Sequence, residues 1–367
     1  MSKSKNLYVD FHVLQTVPPS CVNRDDTGSP KTAVFGGKTR ARVSSQAWKH
    51  TMREMFKDIF SEDQIGFRTK KVKDILVKQI MEQAENMDQS NAEKLADQAL
   101  DVCDIKKDVL FFISALQLKE LAKTILTVQD EMDLKKDLKN KKKDAPWKGS
   151  LKKALKGTPS IDLVLFGRMV ASDPDLNYDA AAQVAHSIST HTVSNEYDYF
   201  TAVDDCVAED NSGAGHLGTV EFNSSTLYRY ATVNVREMLE HLDVEETREA
   251  VKGFTEAFLK SMPTGKQNTF ANRTLPDMVY VTIRTDQPVN LVNAFEKPIV
   301  SGESGYLEGS KKAFVEYAQT VYDQWVSEPA AAWHIGKGCD ELGKTVNYQE
   351  LLEMLDAELS RRLEEGV

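Results

Sequence analysis

The chain has 367 residues, 41% hydrophobic and 28% charged, the mix of an ordinary globular protein. With 46 Lys+Arg against 56 Asp+Glu its net charge is −10 (pI ≈ 5.4), so any polyanion contact must be local rather than general. No apolar run approaches the ~20 residues of a bilayer span, the start carries no signal-like segment, and Cys21, Cys103, Cys206 and Cys339 form no CxxC pair, which together predict a cytoplasmic protein with reduced thiols and neither a zinc site nor a disulfide framework.

At this length a main domain with insertions, or two domains, is expected. Residues 7–14 alternate, with Leu7, Val9, Phe11 and Val13 on one face and Tyr8, Asp10 and His12 on the other, which predicts a half-buried strand. Between Thr27 and Arg53 stand six basic side chains (Lys31, Lys38, Arg40, Arg42, Lys49, Arg53) and no carboxylate. Such a window reads either as a solvated charged surface or as a local anion site. Inside it, Gly36-Gly37 predicts a turn where the backbone can approach a ligand closely. A helix is predicted from Gln46, with Trp48, Met52, Met55 and Ile59 inward and Gln46, Lys49 and Arg53 together on the opposite side.

Residues 60–157 read as helical and polar. Between Lys135 and Lys156 there are ten lysines and two aspartates, either a surface loop or a second polyanion contact. Ile161–Phe166 reads as a strand and Asp179–His191 as a helix, with Ala181, Val184, Ala185 and Ile188 inward. Residues 193–225, with Tyr197, Tyr199 and Phe200 on one arm and a glycine-rich tip, predict a projecting hairpin whose exposed apolar residues need a partner. Strands at Leu227–Val235 and Met278–Arg284 follow, with a helix over Glu245–Met262. Two C-terminal helices carry the stripes Phe314, Ala318, Val321, Trp325 and Leu352, Leu355, Leu359, Leu363. This order predicts an α+β sheet domain of the ferredoxin or RNA-recognition type.

Signature catalytic motifs are missing. Gly36-Gly37-Lys38-Thr39 lacks the earlier glycine of a phosphate loop, since position 32 is Thr32. His186 and His191 lie five apart and read as structural. Asp25-Asp26 and Asp204-Asp205 are adjacent acids that fit turn chemistry, or a divalent metal for phosphodiester cleavage.

Three segments near the start, Cys21-Val22-Asn23-Arg24-Asp25-Asp26, Val34-Phe35-Gly36-Gly37-Lys38 and Arg40-Ala41-Arg42-Val43-Ser44-Ser45-Gln46, resemble the N-terminal signature of the backbone subunit of type I-E Cascade, the CRISPR-associated CasC family. The similarity continues through Gly167-Arg168-Met169, His186-Ser187-Ile188-Ser189-Thr190-His191, Asp198-Tyr199-Phe200-Thr201, Gly215-His216-Leu217-Gly218, Tyr228-Arg229-Tyr230, Lys266-Gln267 and Asn293-Ala294-Phe295-Glu296-Lys297. It covers most of residues 5–300 and is weak over about 60–155 and beyond 300.

The resemblance implies a RAMP protein: an RNA-recognition-motif-like (ferredoxin-like) palm (1–59, 158–192 and 226–367, the last with the C-terminal helices), a helical fingers insertion (60–157) and a β-hairpin thumb (193–225). It implies a non-catalytic guide-RNA (crRNA) binder that stacks with other copies of itself into a helical filament and presents the guide to target DNA. Its other partners would be the five-prime-handle-binding, repeat-endonuclease, large and small Cascade subunits, with no membrane, cofactor or metal. Carried over by position, Asn23, Arg24, Lys31, Lys38, Arg40, Arg42, Ser44, Gln46, Lys49 and Arg53 would hold RNA phosphate and sugar, together with Lys266 and Gln267. Met169, Phe200, Thr201 and Val203 would surround a displaced base, with His216 nearby. Lys135, Lys136, Lys139 and Lys142 would touch target DNA. The alternative is a metal-dependent RNA endonuclease, as in type III complexes, using Asp25 or Asp26.

Overall fold

The computed structural model describes residues 6–106, 109–131, 146–201 and 217–365. The chain divides into two units: Met1–Met55, Gln183–Arg236 and Val251–Val367 form the first, Phe56–Ala182 and Glu237–Ala250 the second. In chain order the strands are β1 (Tyr8–Ser20), β2 (Thr32–Phe35), β3 (Lys38–Val43), β4 (Gly66–Thr69), β5 (Phe111–Ser114), β6 (Ala182–Val184), β7 (Ser187–Ser189), β8 (Glu196–Thr201), β9 (Leu217–Asn234), β10 (Met278–Arg284), β11 (Ala331–Ile335) and β12 (Lys344–Thr345).

One sheet runs β12-β11-β10-β1-β9-β7-β3-β2, and β6 and β8 also pair with β9. The sheet is mixed, because β11 and β12 are parallel while β1 is antiparallel to both neighbours. Helix α1 (Ser45–Ile59) follows β3 and buries Trp48 and Met52. Its innermost stripe continues through Phe56, while Met55 and Ile59 are half-buried.

Two expected elements change type. Ile161–Phe166 is a helix, not a strand. A six-residue apolar run has no decisive period, and its ends decide: Ser160 precedes it and Gly167 closes it at φ 74°. Asp179–His191 is not helical. It supplies β6 and β7, and backbone bonds from Ala185 to Tyr230 and from Thr190 to Thr226 hold it along β9. Here pairing with a long neighbouring strand overrides a helical spacing of small apolar residues. Near the C-terminus, Trp325 is 81% exposed at the end of the helix Leu307–Gln324. The last helix buries Leu351, Leu355 and Leu359, leaving Leu352 and Leu363 half-buried.

In the second unit, α2 (Val72–Gln83), α3 (Gln89–Val102), α4 (Ala115–Val128) and the helix Pro146–Lys156 share a core that includes Leu76, Ile80, Leu121, Ile125 and Leu151. Ser114 and Gln117 form a reciprocal cap at the start of α4. The buried Arg168 guanidinium donates to the carbonyls of Phe112, Leu155 and Leu176 and to Gln117 Oε1, which is how a charge is kept inside without a carboxylate.

Strand β1 is buried on both faces, not half-buried. Phe11 meets Phe254 and Phe258 at 5.5 and 5.9 Å on one side, and His12 meets Phe314 at 5.5 Å on the other. The polar alternation marks partnered groups rather than solvent. Asp10 accepts from the Val289 amide (2.8 Å), and His12 Nδ1 bonds the Tyr228 hydroxyl (2.8 Å). Burial pushes Asp10 up to about 6 from 3.8, and burial with the charge of Arg284 pushes His12 down to about 3 from 6.5.

These two groups act oppositely on stability. The raised carboxyl stabilises at low pH and loses that contribution as pH rises through about 6; the lowered imidazole stabilises above 6.5 and loses its contribution as pH falls toward about 3. Between these limits they largely offset each other. Asp10→Asn removes one side, so its stability should fall roughly 2–3 kcal/mol more steeply than that of the unsubstituted chain from about pH 6 to 4. Urea unfolding across that range measures it; parallel profiles would mean that Asp10 does not titrate there.

Candidate nucleic-acid interface

The basic window folds into a loop, a tight hairpin and a helix start, all in the first unit. After β1 the chain turns through Asp25, whose Oδ1 accepts from the Thr27 amide (2.9 Å), the Thr27 hydroxyl (2.7 Å) and the Ser29 amide (3.0 Å). The Thr27 hydroxyl and these amides hold the Asp25 carboxyl below its ordinary range. The loop is tied back to the hairpin by Lys31 N to Asn23 O (2.8 Å) and Arg42 N to Lys31 O (2.9 Å). Asn23 Oδ1 also accepts from the Ser44 amide (2.9 Å), and Ser44 Oγ accepts from Ala47 N (3.2 Å) at the start of α1. Asn23 and Ser44 therefore shape the site through their own bonds.

Strands β2 and β3 pair Phe35 with Lys38 across Gly36 and Gly37, both at positive φ (58° and 71°). That is the backbone a two-residue hairpin demands. The turn does not open toward a ligand at Gly36: a Cβ there would lie 1.8 Å from the Glu296 carbonyl oxygen. The close approach expected from the sequence is made to the chain's own backbone.

Arg40 is corrected from RNA contact to buttress. It has no exposed surface, and its guanidinium donates to the carbonyls of Ser189 (3.0 Å), Phe295 (2.9 Å) and Glu296 (3.2 Å). Lys38, Arg40 and Arg42 share one face of β3, on which Arg40 is buried, Arg42 half-buried and Lys38, next to the turn, exposed. Arg42 Nε donates to Thr32 O (3.1 Å) and its Nη1 bonds His186 Nδ1 (3.2 Å). Burial, then the charges of Arg42 and Lys31, lower His186, so its ring accepts that bond as the neutral form. Lys38 and Arg24 are exposed and Lys31 half-buried.

Helix α1 starts with no acid in its first turn, so its amide end is electropositive. Gln46 is exposed there. Lys49 and Arg53 are half-buried and already engaged within the chain, so the fully displayed basic face expected of α1 narrows to Gln46. Far along the sequence, Gly265 lies so close that a Cβ would fall 2.1 Å from Val22 O, which brings Lys266 and Gln267 beside the Cys21–Arg24 loop. Lys266 takes a left-handed φ of 52°, and its charge and that of Arg24 both act on Cys21, whose thiol burial raises.

Of the expected hairpin, the two arms are described and its tip, 202–216, lies outside the described residues. β8 pairs with β9 from Glu196↔Phe222 to Thr201↔Leu217. Tyr197, Tyr199 and Phe200 are 67%, 72% and 52% exposed. Gly218 faces Phe200 so closely that a Cβ would meet its ring at 2.4 Å; the glycine lets the ring lie across the strand.

With this geometry in place, the relatives become informative. A family model described as CT1975-like protein matches residues 9–358. The chain belongs to the CT1975-like family. Among solved structures, a chain of a "CRISPR RNA-guided surveillance complex, pre-nicking" is 32% identical, covers 96% of this chain and 100% of its own, and superposes with a TM-score of 0.82. A chain of a "CRISPR RNA-guided surveillance complex" is 28% identical, with 96% and 99% coverage and a TM-score of 0.62. No curated protein matches.

On this CT1975-like chain, then, the structure brings together Asn23, Arg24, Lys31, Arg42, Ser44, Lys266 and Gln267, with Lys38 at the hairpin turn and Gln46 exposed at the start of α1. Met169 belongs to the second unit, where it is 88% exposed at a cleft of about 390 Å³ lined also by Val109, Leu110 and Val170. Thr201 ends the described part of β8, and Val203, His216, Lys135, Lys136, Lys139 and Lys142 lie outside the described residues. Among the described residues, no three His, Cys, Asp or Glu side chains cluster as metal ligands, and no helix is long and apolar enough to cross a membrane. Sequence reasoning missed Glu296 as the backstop of Gly36 and His186 as the partner of Arg42; neither contact leaves a local pattern.

Arg40→Ala strands three buried carbonyls and should cost about 3 kcal/mol in urea unfolding, whereas the exposed Lys38→Ala should change stability by less than about 0.5 kcal/mol. Equal effects would contradict the division between buttress and surface cation.

Proposed function

We propose that this chain is a guide-RNA-binding backbone subunit of a CRISPR surveillance complex of the type I-E kind. The observation that carries the reading is the gathering of Arg24, Lys31, Arg42 and Lys266 about a loop that Asn23 ties to an acid-free helix start, in a chain similar over nearly its whole length to members of RNA-guided complexes. Positive groups on loops and a hairpin edge suit a sugar-phosphate backbone rather than base edges, which is what a protein gripping guides of any sequence needs. In the finer reading the sheet is a RAMP palm of RNA-recognition type, the second unit the fingers and the β8–β9 hairpin the thumb. Copies stack along the RNA, Phe200 approaches a displaced base, and the spacer is presented to target DNA alongside the handle-binding, endonuclease, large and small subunits.

The role proposed is non-catalytic. Asp25 spends one carboxylate oxygen on three bonds inside its own turn, which supports a structural use for the acid that a metal-dependent nuclease would need. Incubating assembled complex with Mg²⁺ and complementary RNA tests this: intact RNA is expected, and regularly spaced cuts abolished by Asp26→Ala would establish the nuclease instead.

Arg24→Ala and Lys31→Ala should each weaken retention of guide RNA and lower the slope of log affinity against log salt by about 1. Filter binding across a salt series reads both quantities. Unchanged slopes in both variants would place the groove elsewhere.

A further inference from the structure

A small recess opens beside the basic strip where β1 and β9 part. Their pairing slips by one residue between Val17↔Ser225 and Ser20↔Asn223, and Pro18 and Pro19 have no amide to offer there. The bulge leaves a crevice of about 20 Å³, room for one water-sized group. Its lining includes Asn223 and Ser225 from β9, with Asn23, Lys31 and Arg42 from the strip.

Bonds around the crevice fix which of its polar groups are left over. Glu221 Oε2 accepts from Asn195 Nδ2 (3.1 Å), so Asn195 Oδ1 is turned to accept from Asn223 Nδ2 (3.0 Å). This relay leaves Asn223 Oδ1 as an acceptor that no donor meets among the described residues. The Ser225 hydroxyl is without a partner there too, although Ser225 and Asn223 are only 5% and 8% exposed. Asn23 gives its Oδ1 to the Ser44 amide and keeps its Nδ2 to donate. Buried groups of this kind are costly unless something meets them.

We infer that the crevice seats a ribose 2′-hydroxyl of the bound strand, so that Asn223 and Ser225 are the residues by which the chain tells RNA from DNA. A hydroxyl donates to Asn223 Oδ1 and accepts from Ser225 at the same time, and a single oxygen suits the volume. A phosphate oxygen does not, because it would face Asn223 Oδ1 acceptor to acceptor. In a ribonucleotide the 2′-hydroxyl stands next to the 3′-phosphate, for which Lys31 and Arg42 lie on the same lining. Arg42 keeps its charge for that anion: its printed-out bonds run to the Thr32 carbonyl and to the neutral His186 ring, not to a carboxylate. Selectivity for the sugar rests on the RNA binding proposed above.

The test uses the full chain freed of nucleic acid and three labelled single strands of one sequence: RNA, DNA, and 2′-fluoro RNA, which keeps the ribose-like pucker but cannot donate. Filter binding should show RNA held about ten-fold or more tighter than either of the others. Ser225→Ala, checked for an unchanged thermal melt, should cut that advantage by about three-fold or more. Arg24→Ala should instead weaken all three strands together and preserve the advantage. The fluorinated strand needs no substitution in the protein, so misfolding cannot imitate its result. Equal binding of RNA and DNA, 2′-fluoro RNA that binds like RNA, or an advantage that survives Ser225→Ala would overturn the hydroxyl site and leave the crevice to a water, with RNA binding still standing. If none of the three strands binds, the RNA-binding function fails and the hydroxyl site falls with it.

Discussion

The basic strip depends on one guanidinium that never touches solvent. Arg40 reaches from β3 to carbonyls on β7 and on the segment Phe295–Glu296, two parts of the chain far from the hairpin in sequence. Those carbonyls sit at the ends of short elements where backbone acceptors are left over. By satisfying them, Arg40 fixes β3 against β7 and the Phe295–Glu296 segment, and with it the placing of Lys38 and Arg42. Gly36 completes the clamp from the other side, because only a missing Cβ lets the hairpin turn settle against the Glu296 carbonyl. Two residues that carry no ligand thus set the geometry of those that would.

The same economy appears inside the sheet. The face of β1 toward the helix Leu307–Gln324 carries Asp10 and His12 among Tyr228, Tyr230 and Tyr280, so its packing is aromatic and hydrogen-bonded together. A buried polar network of this sort specifies register, since a one-residue slip along β1 would move every partner to the wrong face. Arg229 behaves similarly on the opposite side, donating to Gln15 and to the Phe258 carbonyl while lying 3.8 Å over the Trp48 ring.

Elements with a clear period and length were legible in the sequence. The strands read at 7–14, Leu227–Val235 and Met278–Arg284 fall on β1, β9 and β10, although β1 and β9 run several residues further, and with the helix after Ser44 and the glycine turn they follow from alternation, capping and positive φ. Short apolar runs were not, because six residues such as Ile161–Phe166 fit either period, and β6 and β7 exist only because β9 is there to pair with. In the site, charge located the strip, but charge says nothing about direction. Arg40 and Arg42 have the same strand parity on β3, yet one is a buried buttress while the other is half-buried. The approach of Lys266 to the Cys21–Arg24 loop spans the whole chain and has no local signature.

β9 is a single strand of 18 residues, at ~3.3 Å per residue about 60 Å long. Its last two thirds run beside β1 in the sheet, and its first third pairs with β8. The described ribbon is therefore a continuation of a core strand rather than a flap on a hinge. A rotation of the core strands is carried into the ribbon without a joint to absorb it, because both share the same uninterrupted backbone.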